Sequence, residues 1–72
     1  MTDSQWNALC VLIETKLISE SHAAFTVSFL KDKLGLGGNL KEELRPFVVP
    51  DNCPYECRFA YGDHEVSFSK SR

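Results

Sequence analysis

Two cysteines in the last third of the chain, Cys53 and Cys57, have a spacing that a metal site or a local disulfide could use. His64 follows seven residues after Cys57. Structural zinc is usually held by four Cys or His ligands in tetrahedral geometry, so a site here would have to recruit Cys10 or His22. We predict unmodified thiols with no bound metal or cofactor, and we keep zinc and a Cys53–Cys57 disulfide as alternatives.

Other arrangements that support catalysis are missing from the sequence. A nucleophilic Cys or Ser needs a neighbouring base held by a third group, and Cys57 and His64 fall several residue pairs apart on a predicted hairpin. Residues 35–38 are glycine-rich, but they follow a helix and lack the Lys-Ser/Thr pair of a phosphate-binding loop. There is no nucleophile elbow. The sequence therefore predicts a protein that is not an enzyme and has no small-molecule substrate.

Basic side chains are the candidate nucleic-acid surface: Lys31, Lys33, Lys41, Arg45, Arg58, Lys70 and Arg72. Acidic residues are interleaved with them, namely Asp32, Glu42, Glu43 and Glu56. Each phosphate contact gains free energy by releasing counterions, and adjacent carboxylates oppose that gain. We interpret the set as a solvated surface of mixed charge. A nucleic-acid face is the alternative, built from Lys31, Lys33, Lys41, Arg45 and Arg58.

Composition sets the class of protein. The 72 residues have room for one small globular domain, residues 1–72, and a hydrophobic content of 43% is enough for a compact core. Ten acidic residues against eight basic ones give a net charge of −2, which disfavours indiscriminate binding to phosphate backbones or anionic membranes. We see no signal peptide or membrane-spanning run. Three cysteines fit a disulfide scaffold poorly, so we expect a reducing, cytoplasmic location.

The first helix should run from about Asp3 to about Ser19, with Thr2 and Gln5 forming a capping box. One apolar stripe has helical spacing: Trp6, Leu9, Cys10, Ile13 and Leu17. Additional apolar surface comes from Ala8, Val11 and Ile18 on another side. A helix that is apolar on two sides is either central in the fold or half of an interface. If the helix is half of an interface, the candidate partner-binding residues are Trp6, Val11 and Ile18.

Two shorter helices are predicted next. The second begins near Thr26, a plausible N-cap, and ends at Gly35, which can adopt the left-handed conformation. Asn39 can cap a third helix with Glu42 at the capping-box position, and Pro46 should stop that helix after barely two turns. Residues 47–49 are then predicted to be extended.

The strongest structural signal is a C-terminal hairpin. Apolar and polar residues alternate on both arms, and Gly62-Asp63 suits a two-residue type II′ turn. The implied register pairs Phe59 with Val66 and Cys57 with Phe68. One side then carries the apolar side chains of the two arms, and the helices must cover it. A third strand could come from residues 23–25 or 47–49.

Residues 26–36 read T-V-x-x-L-x-x-x-L-G-L, which resembles the second helix and turn of winged-helix DNA-binding domains. The order of three helices and a closing hairpin is also similar to that family. The resemblance implies that the third helix would enter a DNA major groove, here with Lys41, Glu42, Glu43 and Arg45 exposed. The fold expected is therefore α+β and winged-helix-like.

We expect a non-enzymatic regulatory module that binds a protein partner or a second copy of itself. The size and acidic balance resemble those of small phage-encoded inhibitors of host machinery, such as anti-CRISPR proteins. An inhibitor or adaptor is thus the first hypothesis, and a winged-helix-like transcriptional regulator that binds DNA is the alternative. No membrane partner is expected.

Overall fold

The computed structural model describes residues 1–48 and 53–70, and in them the chain forms three helices and one antiparallel sheet of three strands. The elements in chain order are α1 (Asp3–Leu17), β1 (Ala23–Thr26), α2 (Val27–Leu34), α3 (Leu40–Val48), β2 (Tyr55–Ala60) and β3 (Glu65–Lys70). The strand order is β1-β3-β2. The α+β class is confirmed. The description of three helices followed only by a hairpin is corrected, because β1 lies between α1 and α2 and extends the hairpin on its β3 side.

The sheet is organised around β3, which pairs with both other strands. Phe59 and Phe25 lie opposite Val66 from the two sides, and Cys57 lies opposite Phe68. The predicted hairpin register is therefore confirmed. Val66 and Phe68 are completely buried beneath the helices, as expected for alternate residues on the covered face of a sheet. The remaining core side chains come from the other five elements and from the connection after α2: Leu9, Ile13, Ala23, Phe25, Leu30, Leu34, Leu36, Leu40, Leu44 and Tyr55.

The hairpin turn differs from the predicted type II′. The loop covers residues 61–64, in which Tyr61, Gly62 and Asp63 all have positive φ, 55°, 64° and 66°. The amide of His64 donates to the carbonyl of Tyr61 at 3.2 Å, which makes Gly62 and Asp63 the central residues of the turn. Positive φ at both central residues is the pattern of type I′, in which Gly and Asp are favoured residues. The His64 carbonyl also accepts a hydrogen bond from the amide of Val27 at 2.9 Å, which ties the turn to the start of α2.

The predicted helix boundaries are confirmed where a capping residue marks them. The Thr2–Gln5 capping box is formed, and the Thr26 hydroxyl accepts from the amide of Phe29 at 3.1 Å. The Asn39 side chain accepts from the amide of Glu42 at 3.1 Å. Gly35 ends α2 with φ of 70°. Each cap satisfies backbone groups that a helix end leaves without partners.

The third helix is longer than predicted. It continues through Pro46 to Val48, so the expectation that Phe47 and Val48 are extended is wrong; Val49 lies outside the described residues. The Phe47 ring stacks on Trp6 of α1, with ring centroids 5.3 Å apart and planes 22° apart. This stacking and the packing of Val48 against the core stabilise the helical conformation of residues 46–48. They offset the hydrogen bond that proline cannot donate.

A pair of glycine variants tests the backbone at the end of α2. Neither Gly35 nor Gly37 has a heavy atom within 4 Å of an added Cβ, but Gly35 alone has positive φ. We expect Gly35→Ala to lower the free energy of unfolding by about 1–2 kcal/mol, the cost of a left-handed conformation in an L-residue. Gly37→Ala should leave stability unchanged or raise it by about 0.4–1 kcal/mol. Urea unfolding measures both, and equal losses would contradict this account.

Candidate protein-binding surface

The side of α1 that faces away from the core carries a continuous row of uncharged side chains. Its members follow 4-3-4-3 spacing and are all exposed: Ser4, Ala8, Val11, Thr15 and Ile18. We call them the outer face of α1. The buried residues Leu9 and Ile13 lie on the opposite side of the helix, as the 3.6-residue period requires. The outer face therefore adds no buried core residue to the domain.

Two of the three predicted partner-binding residues lie on this outer face. Val11 is 65% exposed and Ile18 is 85% exposed. Trp6 is half-buried on the other side of α1, where it stacks on Phe47 and packs against the core. The structure thus brings Val11 and Ile18 together but does not bring Trp6 to the same surface.

A groove of about 480 Å³ adjoins the outer face between α1, β1 and α2. We call it the edge groove, and its lining residues are Leu12, Thr15, Lys16, Ala24, Phe25, Thr26 and Phe29. The Phe29 ring is 45% exposed and stacks on Phe25, with centroids 6.0 Å apart and planes 6° apart. Thr15 belongs to both surfaces, which makes them continuous.

Sequence reasoning did not find the edge groove, because three separate elements form it. Residues 23–25 were one of two candidates for a third strand, and the sequence did not indicate a surface role for Phe29. The sequence of β1, Ala-Ala-Phe-Thr, does not alternate apolar and polar residues, so its alternation of buried and exposed residues is visible only in the folded chain. Only the pairing of β1 with β3 places Phe25 and Phe29 next to α1.

The five residues of the predicted nucleic-acid face lie on three elements. Lys31 and Lys33 are in the last turn of α2. Lys41 and Arg45 are one turn apart on α3, where Lys41 lies 3.6 Å from Asp63 and Arg45 lies 3.2 Å from Glu42. Arg58 is exposed on β2 next to Ser67, on the sheet face turned away from the helices. Arg72 lies outside the described residues.

Lys41 is also held above the Phe59 ring, with Nζ 5.5 Å from the ring centroid. A cation above an aromatic face is attracted by the ring quadrupole. The two exposed cations of α3 therefore have neighbouring partners within the domain, which reduces the positive potential available to a phosphate.

The three cysteines are free thiols, each half-buried. Burial raises the pKa of Cys57 to about 11, and burial also raises the pKa of Cys10 above its usual value. Thiols with raised pKa values are weak nucleophiles near neutral pH, because the thiolate is the reactive form. Within residues 1–48 and 53–70, no three His, Cys, Asp or Glu side chains are arranged to hold a metal ion. These thiols contribute to packing against the core.

A polar cluster joins α1 to the two C-terminal strands. The buried Tyr55 donates its hydroxyl hydrogen bond to Glu14, and Lys70 Nζ donates to the same carboxylate at 3.2 Å. Lys70 Nζ also lies 5.8 Å from the centre of the Tyr55 ring. The hydrogen bonds from Tyr55 and Lys70 lower the pKa of Glu14, while burial and the Glu14 carboxylate raise the pKa of Tyr55. The cluster fixes the orientation of α1 on the sheet.

In the part of the chain that the structure describes, none of the helices combines the length and the apolar character that crossing a bilayer requires. No family model, curated protein or solved structure gives a significant match to the chain.

The Glu14 cluster makes a pH-dependent contribution to stability. Because the pKa of Glu14 is lower in the folded state, its contribution is present above the unfolded-state pKa and is lost as pH falls through the folded-state pKa. We expect Glu14→Gln to unfold at lower urea concentration than the native sequence at pH 7, and the two midpoints to converge in strong acid. Glu20→Gln, at an exposed position of the connection after α1, is the control for charge removal. A difference that persists unchanged in acid would contradict the assignment.

Proposed function

We propose that this protein is a non-enzymatic regulatory module that binds another protein, as an inhibitor or an adaptor, through the outer face of α1. The observation that carries the proposal is the row of five exposed, uncharged residues on a helix whose opposite side already supplies the core. Helices with spare apolar positions at this spacing pack side by side with other helices.

Apolar contacts at this surface would supply part of the free energy of binding, and a partner would have to add further contacts to offset the cost of association. Burying one side chain such as Val11 or Ile18 contributes roughly 1.5–3 kcal/mol. The smaller residues Ser4 and Ala8 allow close approach of a partner backbone near the start of α1. Val11 and Ile18 are large apolar side chains left exposed on one side of the helix, and a partner that covered them would remove this apolar surface from water.

The net charge and size favour a regulatory protein over a nucleic-acid coat or membrane protein. A charge of −2 on 72 residues provides no long-range attraction to anionic polymers. These properties are shared with small phage-encoded inhibitors of host machinery, and we propose the same broad role for this chain. The cytoplasm is the compartment that three free thiols fit best.

Substitutions on the outer face test the proposal. We expect Val11→Asp and Ile18→Asp each to weaken the complex with a protein partner about tenfold or more, because a carboxylate replaces a buried apolar contact. The complex would be captured from cells of the native host in which the chain is made, and titrated against each variant. Tyr61→Asp is the matched control, since Tyr61 is 76% exposed on the hairpin turn and the change adds the same charge.

All three variants should unfold at native-like urea concentrations, because the altered side chains are exposed. Equal weakening by Tyr61→Asp would show that charge alone was responsible and would remove the outer face from the proposal. An unaltered chain that stays monomeric and captures no protein would count against protein binding as a whole.

A second candidate function is DNA binding by a winged-helix-like domain. The order of helices and strands, with a hairpin closing the sheet, supports this fold family, and α3 exposes Lys41 and Arg45 one turn apart. In winged-helix domains the third helix occupies the major groove. The carboxylates of Asp63 and Glu42 beside these cations make this candidate weaker than protein binding.

The DNA-binding candidate predicts a salt-dependent affinity for duplex DNA. Each phosphate contact contributes about 0.9 to the slope of log affinity against log salt, so Lys41→Glu with Arg45→Glu should make that slope clearly shallower. Lys16→Glu, which lies away from α3, is the charge control. Absence of any gel shift at low salt would remove this candidate.

A further inference from the structure

β1 forms an open edge of the sheet, because its only strand neighbour in the described residues is β3. The carbonyl of Ala24 accepts a hydrogen bond from Lys16 Nζ at 3.4 Å, so it points away from β3. In an antiparallel pair, the N–H and C=O of one residue point to the same side of the strand. The Ala24 amide therefore also faces outward, and Thr26, two residues on, presents its amide in the same direction.

These outward backbone groups lie along the edge groove. An extended segment that added a fourth strand to β1 would place alternate side chains toward the groove and toward the open sheet face. On the groove side, the stacked rings of Phe25 and Phe29 would contact one of its side chains. Leu12 and Thr15 of α1 would cover that side chain from above.

Among the described residues that line the groove, Lys16 is the only charged one. Its Nζ lies 5.3 Å from the centre of the Phe25 ring and beside the Ala24 carbonyl. An incoming strand would replace Lys16 at that carbonyl and would leave the ammonium group next to the strand. An acidic side chain two positions from the apolar one would lie on the same side of the strand and pair with Lys16.

The same lysine disfavours a second copy of this chain as the occupant. Two copies pairing through β1 in antiparallel fashion would bring both Lys16 ammonium groups to the same short stretch of backbone. Two like charges at so short a separation oppose association. Proteins use lysine near the edge of a sheet in the same way to prevent pairing between copies. A partner of opposite charge has no such penalty.

We propose that the β1 edge and the edge groove bind an extended segment of a partner protein in which an apolar and an acidic residue stand two positions apart. This inference rests on the proposed protein-binding function and specifies a second contact beside the outer face of α1. The segment adds to β1 as a fourth strand, its apolar side chain contacts Phe25 and Phe29, and its carboxylate pairs with Lys16.

The test uses seven-residue, threonine-rich peptides that contain Phe and Glu two positions apart, in both orders. Threonine favours extended backbone and carries no charge. We expect one order to bind and to protect the amides of Ala24 and Thr26 from hydrogen exchange. Peptides with Glu replaced by Lys should bind about tenfold more weakly, and N-methylation of alternate peptide amides should abolish binding, because it removes the hydrogen bonds to β1.

Three variants of the protein complete the test. Lys16→Glu should lose affinity for the Glu peptide about tenfold and gain affinity for the Lys peptide, whereas Lys33→Glu, with the same charge change on the exposed end of α2, should alter neither. Ala24→Pro removes the outward amide while leaving the pairing with β3 intact, and proline is tolerated at strand edges. It should abolish binding of every peptide.

The proposal would be overturned if neither peptide order bound at millimolar concentration, or if Lys16→Glu left the binding of the Glu peptide unchanged. Peptide-induced changes in NMR chemical shift that are confined to Val11 and Ile18 would also overturn it. The proposed function of the outer face would then stand alone. A dimer of the free protein that Ala24→Pro dissociates would show that a second copy occupies the edge instead.

Discussion

The burial of β3 is the constraint on which the rest of the structure depends. Val66 and Phe68 are inaccessible to solvent because β1 and β2 pair on either side and the helices cover one sheet face. A domain of 72 residues buries only about 60% of the surface that its unfolded chain exposes, so this single layer of contacts uses most of the interior. Both proposed binding contacts therefore lie on outer surfaces of the domain.

The two-sided character of α1 follows from that constraint. Leu9 and Ile13 anchor the helix to the sheet, and the cluster of Glu14, Tyr55 and Lys70 fixes its orientation. With one side of the helix fixed, the opposite side must face outward. The uncharged outer face and the adjoining edge groove then form a continuous surface with more apolar character than the fold itself requires. That surface unites the two protein-binding contacts proposed above.

Electrostatics distinguishes the edge groove from the two exposed cations of α3. Lys41 and Arg45 have acidic neighbours on their own or an adjacent element, whereas Lys16 stands beside a backbone carbonyl and an aromatic ring. A cation already near a carboxylate gains little from a phosphate, while Lys16 can gain a charged partner without losing one. This difference is the reason for proposing an acidic protein segment, and not a nucleic-acid backbone, as the occupant of the edge groove.

The sequence by itself determined the features that depend on neighbours along the chain. The Thr2 capping box, the left-handed Gly35 and the pairing of Phe59 with Val66 follow from local hydrogen bonding, backbone sterics and period-2 alternation. Tertiary structure alone decided that α3 continues through Pro46, where stacking of Phe47 on Trp6 offsets a missing hydrogen bond. It also selected residues 23–26 as the third strand and so created the edge groove. Both outcomes depend on the free energy of contacts between residues far apart in the chain, and a local sequence pattern cannot indicate such contacts.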